Sequence, residues 1–235
     1  MPTFLQSFIN FTFKFIFQFF CAKPIKSLNK GEFVYIVGIA GGSGSGKTTF
    51  ANKVLDDLNP SQTAILHMDS YYLDEQPKEI CSADDKPNFD HPQAFDWELL
   101  REHIQILKSG GRVNCPNYDF KTNSRMDETT VIEPVKMIIF EGIFTLFDKD
   151  IRELLDIKCF LHVDSDIRFT RRLHRDVNER GRSLESVISQ YYDTVRPMYQ
   201  KYLDPQKQFA DFIVGEETTI AAQILSSRLN HLLKE

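Results

Sequence analysis

The stretch GIAGGSGSGKTTF at residues 38–50 constrains this chain more than any other. An apolar run, FVYIVGIA, leads into it, and a helix-compatible run, KTTFANKVLDDL, leads out. A flexible linker would account for the glycines but not for that order. Gly41-x-x-x-x-Gly46-Lys47-Thr48 matches the phosphate-binding loop pattern in the context it requires, a strand before and a helix after. Glycines let successive backbone N–H groups turn toward a phosphate with no Cβ in the way, and the starting helix adds the positive end of its dipole. Gly41, Gly42, Ser43, Gly44, Ser45, Gly46, Lys47, Thr48 and Thr49 are therefore read as a nucleotide-binding loop. In such a loop Lys47 reaches the β and γ phosphates, and the Thr48 hydroxyl is a Mg²⁺ ligand.

From Glu32 onward, short apolar runs alternate with longer helical patterns. The runs at 33–40, 63–68, 135–141, 158–164 and 211–215 are continuously rather than alternately apolar, which predicts strands of a parallel sheet buried on both faces. Helical patterns are read at 47–58, about 95–108, about 166–178, 183–203 and 219–233. This is a doubly wound α/β architecture with a parallel sheet of about five strands. Residues 111–134, GRVNCPNYDFKTNSRMDETTVIEP, break the alternation and read as a β-hairpin, an excursion of the kind that builds one wall of a site. A chain of 235 residues, 42% hydrophobic, has room for a single large core, which is placed at residues 31–235.

A formal net charge of −5 argues against a general nucleic-acid binder. Any cationic site must be local. Cys21, Cys81, Cys115 and Cys159 lie far apart with no C-x-x-C pair, so neither a zinc site nor a disulfide framework is expected, and a reducing cytoplasm fits. The opening MPTFLQSFINFTFKFIFQFF is rich in Phe but broken by polar residues and Lys14. It is a poor membrane span and matches neither a secretory signal nor a transit peptide. Residues 1–30 are read as an extension outside the domain, and membrane attachment is expected only if residues 1–20 supply it.

Three further features belong with the loop. Glu141 ends the strand VKMIIFEGI, where an acid at the carboxyl edge of a buried strand can hold Mg²⁺ directly or through water. Asp69 of HMDSYY follows another buried strand and should share that edge, as a general base for an attacking hydroxyl or as a further metal ligand. The run DIRFTRRLHRDVNERGRS sets Arg168, Arg171, Arg172 and Arg175 at helical spacing, with Arg180 and Arg182 just beyond. In an acidic protein such a cluster suits a lid that closes over phosphates. No guanine-reading Asn-Lys-x-Asp is present, since Asn29-Lys30 and Asn52-Lys53 fit neither by sequence nor by position, which weakens a switch GTPase reading.

Taken with NFDHPQAFDWELL, YDFKTNSR, FEGIF and SQYYDTVRPMYQKYLDPQKQFAD, these segments resemble the uridine kinase, or uridine-cytidine kinase, family from about Phe33 to the C-terminus. The resemblance implies a P-loop kinase-type fold with an Arg-rich helical lid, and transfer of the γ-phosphoryl of ATP (or GTP), with Mg²⁺, to the 5′-hydroxyl of uridine or cytidine. It implies that Asp69 is the general base, and that Lys47, Arg172, Arg175, Arg180 and Arg182 attend the phosphates. It also implies that Asp90 holds the ribose hydroxyls with help from Arg172, that Tyr72, Tyr118 and Phe120 line the base pocket, and that Gln190 is a substrate-side amide. Asn123 departs from the pattern, since many family members carry histidine there against the pyrimidine 4-position. An amide still offers a donor and an acceptor, but on a shorter arm.

Thr48, Asp69 and Glu141 are the expected metal residues, a small-molecule nucleoside the expected partner, and a homo-oligomer, a tetramer by resemblance, the expected assembly. Two alternatives stand beside this reading. One is a related kinase of another small alcohol, phosphoribulokinase-like or pantothenate kinase-like. The other is a non-catalytic nucleotide-binding regulatory module.

Overall fold

A computed structural model describes residues 34–81 and 87–234, and over them it has seven strands and six α-helices longer than one turn. The Phe-rich start, Cys21 and the boundary expected near Gly31 lie outside the described residues. Strands β1 (Tyr35–Gly41) and β2 (Thr63–His67) precede a hairpin of β3 (Val113–Asp119) and β4 (Ser124–Ile132). Then come β5 (Met137–Gly142), β6 (Ile157–Leu161) and β7 (Phe212–Val214). Apart from the hairpin, these strands form one parallel sheet in the order β2-β5-β1-β6-β7. Every residue of β5 is buried, which is what a continuous apolar run in a covered central strand implies.

Helices cover both faces. On one side α1 (Lys47–Asp56) and α6 (Thr219–Leu232) bury Phe50, Val54, Leu225 and Leu229 against Val37, Ile39 and Ile139. On the other, α2 (Trp97–Lys108) sets Leu100, Ile104 and Leu107 into the cluster of Ile36, Phe140, Phe144 and Phe160. Each fully buried aliphatic or aromatic side chain contributes about 1.5–3 kcal/mol, so these two clusters dominate the stability. α2 begins two residues later than the pattern suggested, because the Asp96 side chain accepts the Leu99 N–H and caps the helix there. A short α3 (Lys149–Leu154), absent from the sequence reading, is nucleated in the same way by Asp148 accepting from Ile151 N–H.

α4 (Ser165–Asn178) carries the arginines. The helix expected over 183–203 runs without a break through α5 (Leu184–Gln190), a π turn at Tyr191–Val195, one α turn at Arg196–Met198 and a second π turn at Tyr199–Leu203. Pro197 lies between the two π turns and lacks the N–H that would bond the carbonyl four residues back, so the helix widens around it.

The hairpin occupies the expected stretch as a separate antiparallel pair, with its register shifted between Pro116 and Asn117, where a proline can donate no ladder bond. It is tied to the rest by the buried Tyr71 hydroxyl, which lies 2.7 Å from His103 Nδ1 on α2 and 3.4 Å from Cys115 Sγ on β3. Cys81, Cys115 and Cys159 are all unpaired, and among the described residues no helix is long and apolar enough to cross a membrane.

Candidate active site

The parallel register brings the carboxyl ends of β1, β2 and β5 to one edge, with His67 opposite Glu141 and Ala40 opposite Gly142. The residues that carry chemistry emerge from that edge. β1 turns into α1 through the glycine loop, where Gly44 and Gly46 adopt φ of 77° and 87°. A Cβ on Gly44 would lie 2.2 Å from the Arg168 carbonyl oxygen, so this position is closed to any side chain. Lys47 Nζ donates to Gly42 O at 3.2 Å, which folds the lysine back over the loop. Burial lowers its pKa, opposed by the charges of Glu141 and Asp69.

The two carboxylates at this edge are pushed in opposite directions. Asp69, on the turn after β2, has its pKa raised by desolvation first and then by the charge of Glu141, with Lys47 opposing. Glu141 is also desolvated, but His67, Lys47 and Thr48 outweigh that and hold it below the usual range. Its Oε1 accepts Thr48 Oγ1 at 3.0 Å. Asp69 is thus fitted to take up a proton and Glu141 to stay ionised, a division of labour between paired acids.

Above the loop, Arg172 donates to Ser43 Oγ and to Gln190 Oε1, both at 2.9 Å, and Arg182 also donates to Gln190 Oε1. Arg180 stacks over the Phe120 ring at 4.2 Å, joining the lid to the hairpin. The cationic face predicted on the helix is divided. Arg172 and Arg175 reach the site, whereas Arg168 is buried over Tyr199 with its Nε on Val163 O, and Arg171 pairs with Glu216 at 2.8 Å. Arg171 lies about 100° around the helix from Arg172, which turns it away.

On the far side, buried Asp90 has its pKa raised by desolvation, with Arg172 opposing, and its Oδ2 has no hydrogen-bond partner. The Tyr72 hydroxyl donates to Phe89 O at 3.0 Å, and its ring stacks on Phe95 at 4.1 Å.

A cavity of about 470 Å³ joins these parts. It is lined by Ser43, Lys47, Thr48, Asp69, Glu141 and the four lid arginines, together with Tyr72, Asp90, Phe120, Asn123 and Gln190. Of the predicted set, Tyr118 stands behind the lining, its ring 5.3 Å from Tyr72 and 5.5 Å from Phe120. Gly41, Gly42, Gly44, Ser45, Gly46 and Thr49 shape the loop without lining the cavity. Two residues at the site were not singled out from the sequence. His67 Nδ1 lies 2.8 Å from Glu141 Oε1, and Asp176 is wholly buried among the arginines. His67 was findable as the strand-end neighbour of Glu141, and Asp176 as one of two acids, with Glu179, inside the arginine run.

Among the described residues no group of three or more His, Cys, Asp or Glu side chains is arranged to hold a metal by itself. A hydroxyl and two carboxylates suit Mg²⁺, which keeps several waters and takes most of its ligands from phosphates.

The sequence profile of the Phosphoribulokinase / Uridine kinase family matches residues 36–221. A uridine kinase of Lactobacillus helveticus is 46% identical over 213 residues, 88% of this chain and 100% of its own length. One from Clostridium botulinum is 42% identical over 205 residues, 85% and 98% of the two chains. Among solved structures, D-glycerate 3-kinase from Cryptococcus neoformans superposes with a TM-score of 0.60 at 20% identity, covering 92% of this chain and 97% of its own.

Proposed function

This chain belongs to the phosphoribulokinase/uridine kinase family, and from that premise we propose that it phosphorylates the 5′-hydroxyl of uridine, and of cytidine, using ATP. It is a phosphotransferase acting on an alcohol, and its product is the nucleoside monophosphate of pyrimidine salvage. The observation that carries this reading is one cavity lined both by Lys47, Asp69 and Glu141 and by Asp90, whose Oδ2 has no partner.

The glycine loop cradles the donor phosphates, and Lys47 leaves Gly42 O for a phosphate oxygen. Thr48 and Glu141, with Asp69 at hand, would hold Mg²⁺, which would supply positive charge to neutralise the phosphates. Asp69 accepts the proton of the 5′-hydroxyl, for which its raised pKa suits it. Asp90 fixes that hydroxyl in line by accepting from the ribose hydroxyls, and a deoxyribose would leave its buried oxygen without a donor. Tyr72 and Phe120, backed by Tyr118, receive the flat base, Asn123 addresses it with its amide, and Gln190, held by Arg172 and Arg182, is a substrate-side amide. The arginines close over the transferring group and exclude water. The kinase domain comprises residues 31–235 and acts in the cytoplasm as a homo-oligomer. These last points rest on the family resemblance and composition.

The test is initial rates with ATP·Mg²⁺ against uridine, cytidine and 2′-deoxycytidine, beside ribulose 5-phosphate and pantothenate. Ribose-dependent nucleoside turnover is expected. ATP binding with turnover of another alcohol alone would replace this reading with one of its relatives.

A further inference from the structure

Asp176 has 0% of its surface exposed, and none of the roles assigned above uses it. Its Oδ1 accepts Arg175 Nε at 2.9 Å, with Arg175 Nη2 at 2.8 Å and Arg180 Nη1 at 3.5 Å. Its Oδ2 lies 3.4 Å from Arg172 Nε and 3.6 Å from Arg182 Nη1, and neither Oδ2 nor Arg172 Nε has a hydrogen-bond partner. One carboxylate therefore faces four guanidinium groups, two from its own helix and two from the segment around Gly181.

A buried, incompletely bonded ion cluster is a poor way to stabilise a helix, since apolar side chains of similar volume commonly do as well or better. It is a good way to hold like charges together. Without a shared anion, four guanidinium groups would repel one another and spread toward water.

We propose that Asp176 is the positioning residue of the lid, holding Arg172, Arg175, Arg180 and Arg182 over the glycine loop before any phosphate arrives. Ordering the four long side chains is then part of folding rather than of catalysis. The contacts of 3.4 and 3.6 Å at Oδ2 leave the arginines free to shift toward phosphate oxygens while Asp176 still faces them. Asp176 acts through the arginines and touches no reacting atom. The proposal rests on the reading of these arginines as phosphate ligands.

The test maps arginine modification by phenylglyoxal, read by peptide mass spectrometry, in the full chain with and without ATP·Mg²⁺. In the wild type, Arg175, Arg180 and Arg182 should react slowly whether or not nucleotide is present. In Asp176→Asn they should react about tenfold faster, a coupling of ordinary size, and nucleotide should restore protection. The same variant should lose about a hundredfold in kcat, less than the 10³–10⁵ that a whole arginine finger supplies, with a much smaller change in the KM for ATP. Asp176→Glu, which keeps the charge, should recover part of kcat, as a purely structural role would not predict.

Wild-type arginines that react as fast without nucleotide as those of Asp176→Asn would overturn the proposal. Should Asp176→Asn fail to fold, strong nucleotide protection of the wild-type arginines would overturn it alone. Slow modification in a chain that phosphorylates no nucleoside would refute the proposed function and leave the lid intact.

Discussion

His67 donates through Nδ1 to Glu141 Oε1 at 2.8 Å, and that same oxygen accepts the Thr48 hydroxyl at 3.0 Å. A carboxylate can only accept from both, so Nδ1 must carry hydrogen and the Glu141 side chain is pinned from two sides. The hydrogen bond to Glu141, against partial desolvation, raises the pKa of His67 above its ordinary 6.5. A histidine whose folded pKa is raised adds stability that is full below 6.5 and is lost as pH climbs through the raised value. It fades again only when acid protonates Glu141, whose own pKa is lowered from 4.5. The wild type should therefore outlast His67→Gln most clearly between those limits, and the gap should close in alkali. The His67 side chain is 43% exposed, so the shift in Tm should be modest, about 1–3 °C. Thermal melts of the two nucleotide-free proteins across pH check this, and a gap that widens with rising pH would contradict the pairing.

Asp69→Asn removes the group whose pKa is raised by desolvation and by Glu141. It keeps the shape of the turn but cannot take a proton. The expected loss in kcat is about 10²- to 10⁴-fold, with ATP binding nearly unchanged. In the wild type the acid limb of kcat/KM should lie above the usual 3.8, since activity needs the ionised form and the environment disfavours it. Steady-state rates against pH for both proteins measure this.

The parallel strands and the glycine loop were readable because covered strands demand continuous apolar runs and because a phosphate loop allows few residue types. Five runs became five strands of one sheet. α3 was missed because six residues give no helical period, leaving only the Asp148 cap as a signal. The long amphipathic pattern over 183–203 gave the helix but not its two π turns, for which Pro197 was the only signal. His67 and Asp176 stayed hidden for a different reason. Their meaning lies in what surrounds them across the sheet edge and the arginine cluster, and linear spacing does not carry that.

Gly44→Ala should abolish nucleotide binding rather than weaken it. The backbone φ of 77° disfavours any side chain, and the new Cβ would meet the Arg168 carbonyl oxygen at 2.2 Å, a backbone atom with nowhere to move. Strain of about 1–2 kcal/mol falls on the loop from φ alone, before the clash is counted. Gly110→Ala, with the same φ of 77° but nothing within 4 Å, controls for the backbone term. Calorimetric titration with ATP should show no binding in the first variant and near-normal binding in the second.

Phe120→Ala should separate the hairpin from the lid. The ring lies 4.2 Å under the Arg180 guanidinium, a cation–π contact worth about 0.5–1 kcal/mol at a partly exposed site. Its loss should raise KM for the nucleoside about two- to fivefold and leave ATP binding by the P-loop unaffected. An equal rise in the KM for both substrates would show that the contact merely supports the fold.

Asn123 has both a conformational and a chemical role, and two substitutions divide them. Its φ of 56° is the only positive value at a non-glycine among the described residues, and it turns the tip of the hairpin beside the cavity. Asparagine tolerates that conformation, whereas a β-branched residue does not. Asn123→Gly keeps the turn and removes only the amide. If that amide addresses the pyrimidine, kcat/KM should fall about two- to tenfold, by one hydrogen bond, and should fall unequally for uridine and cytidine. Asn123→Val also disfavours the turn, so both nucleosides should suffer further and by the same factor. Rates for the two nucleosides with each variant give the ratios directly. A glycine variant with wild-type rates and an unchanged uridine to cytidine ratio would confine Asn123 to the turn, leaving base choice to the aromatic wall.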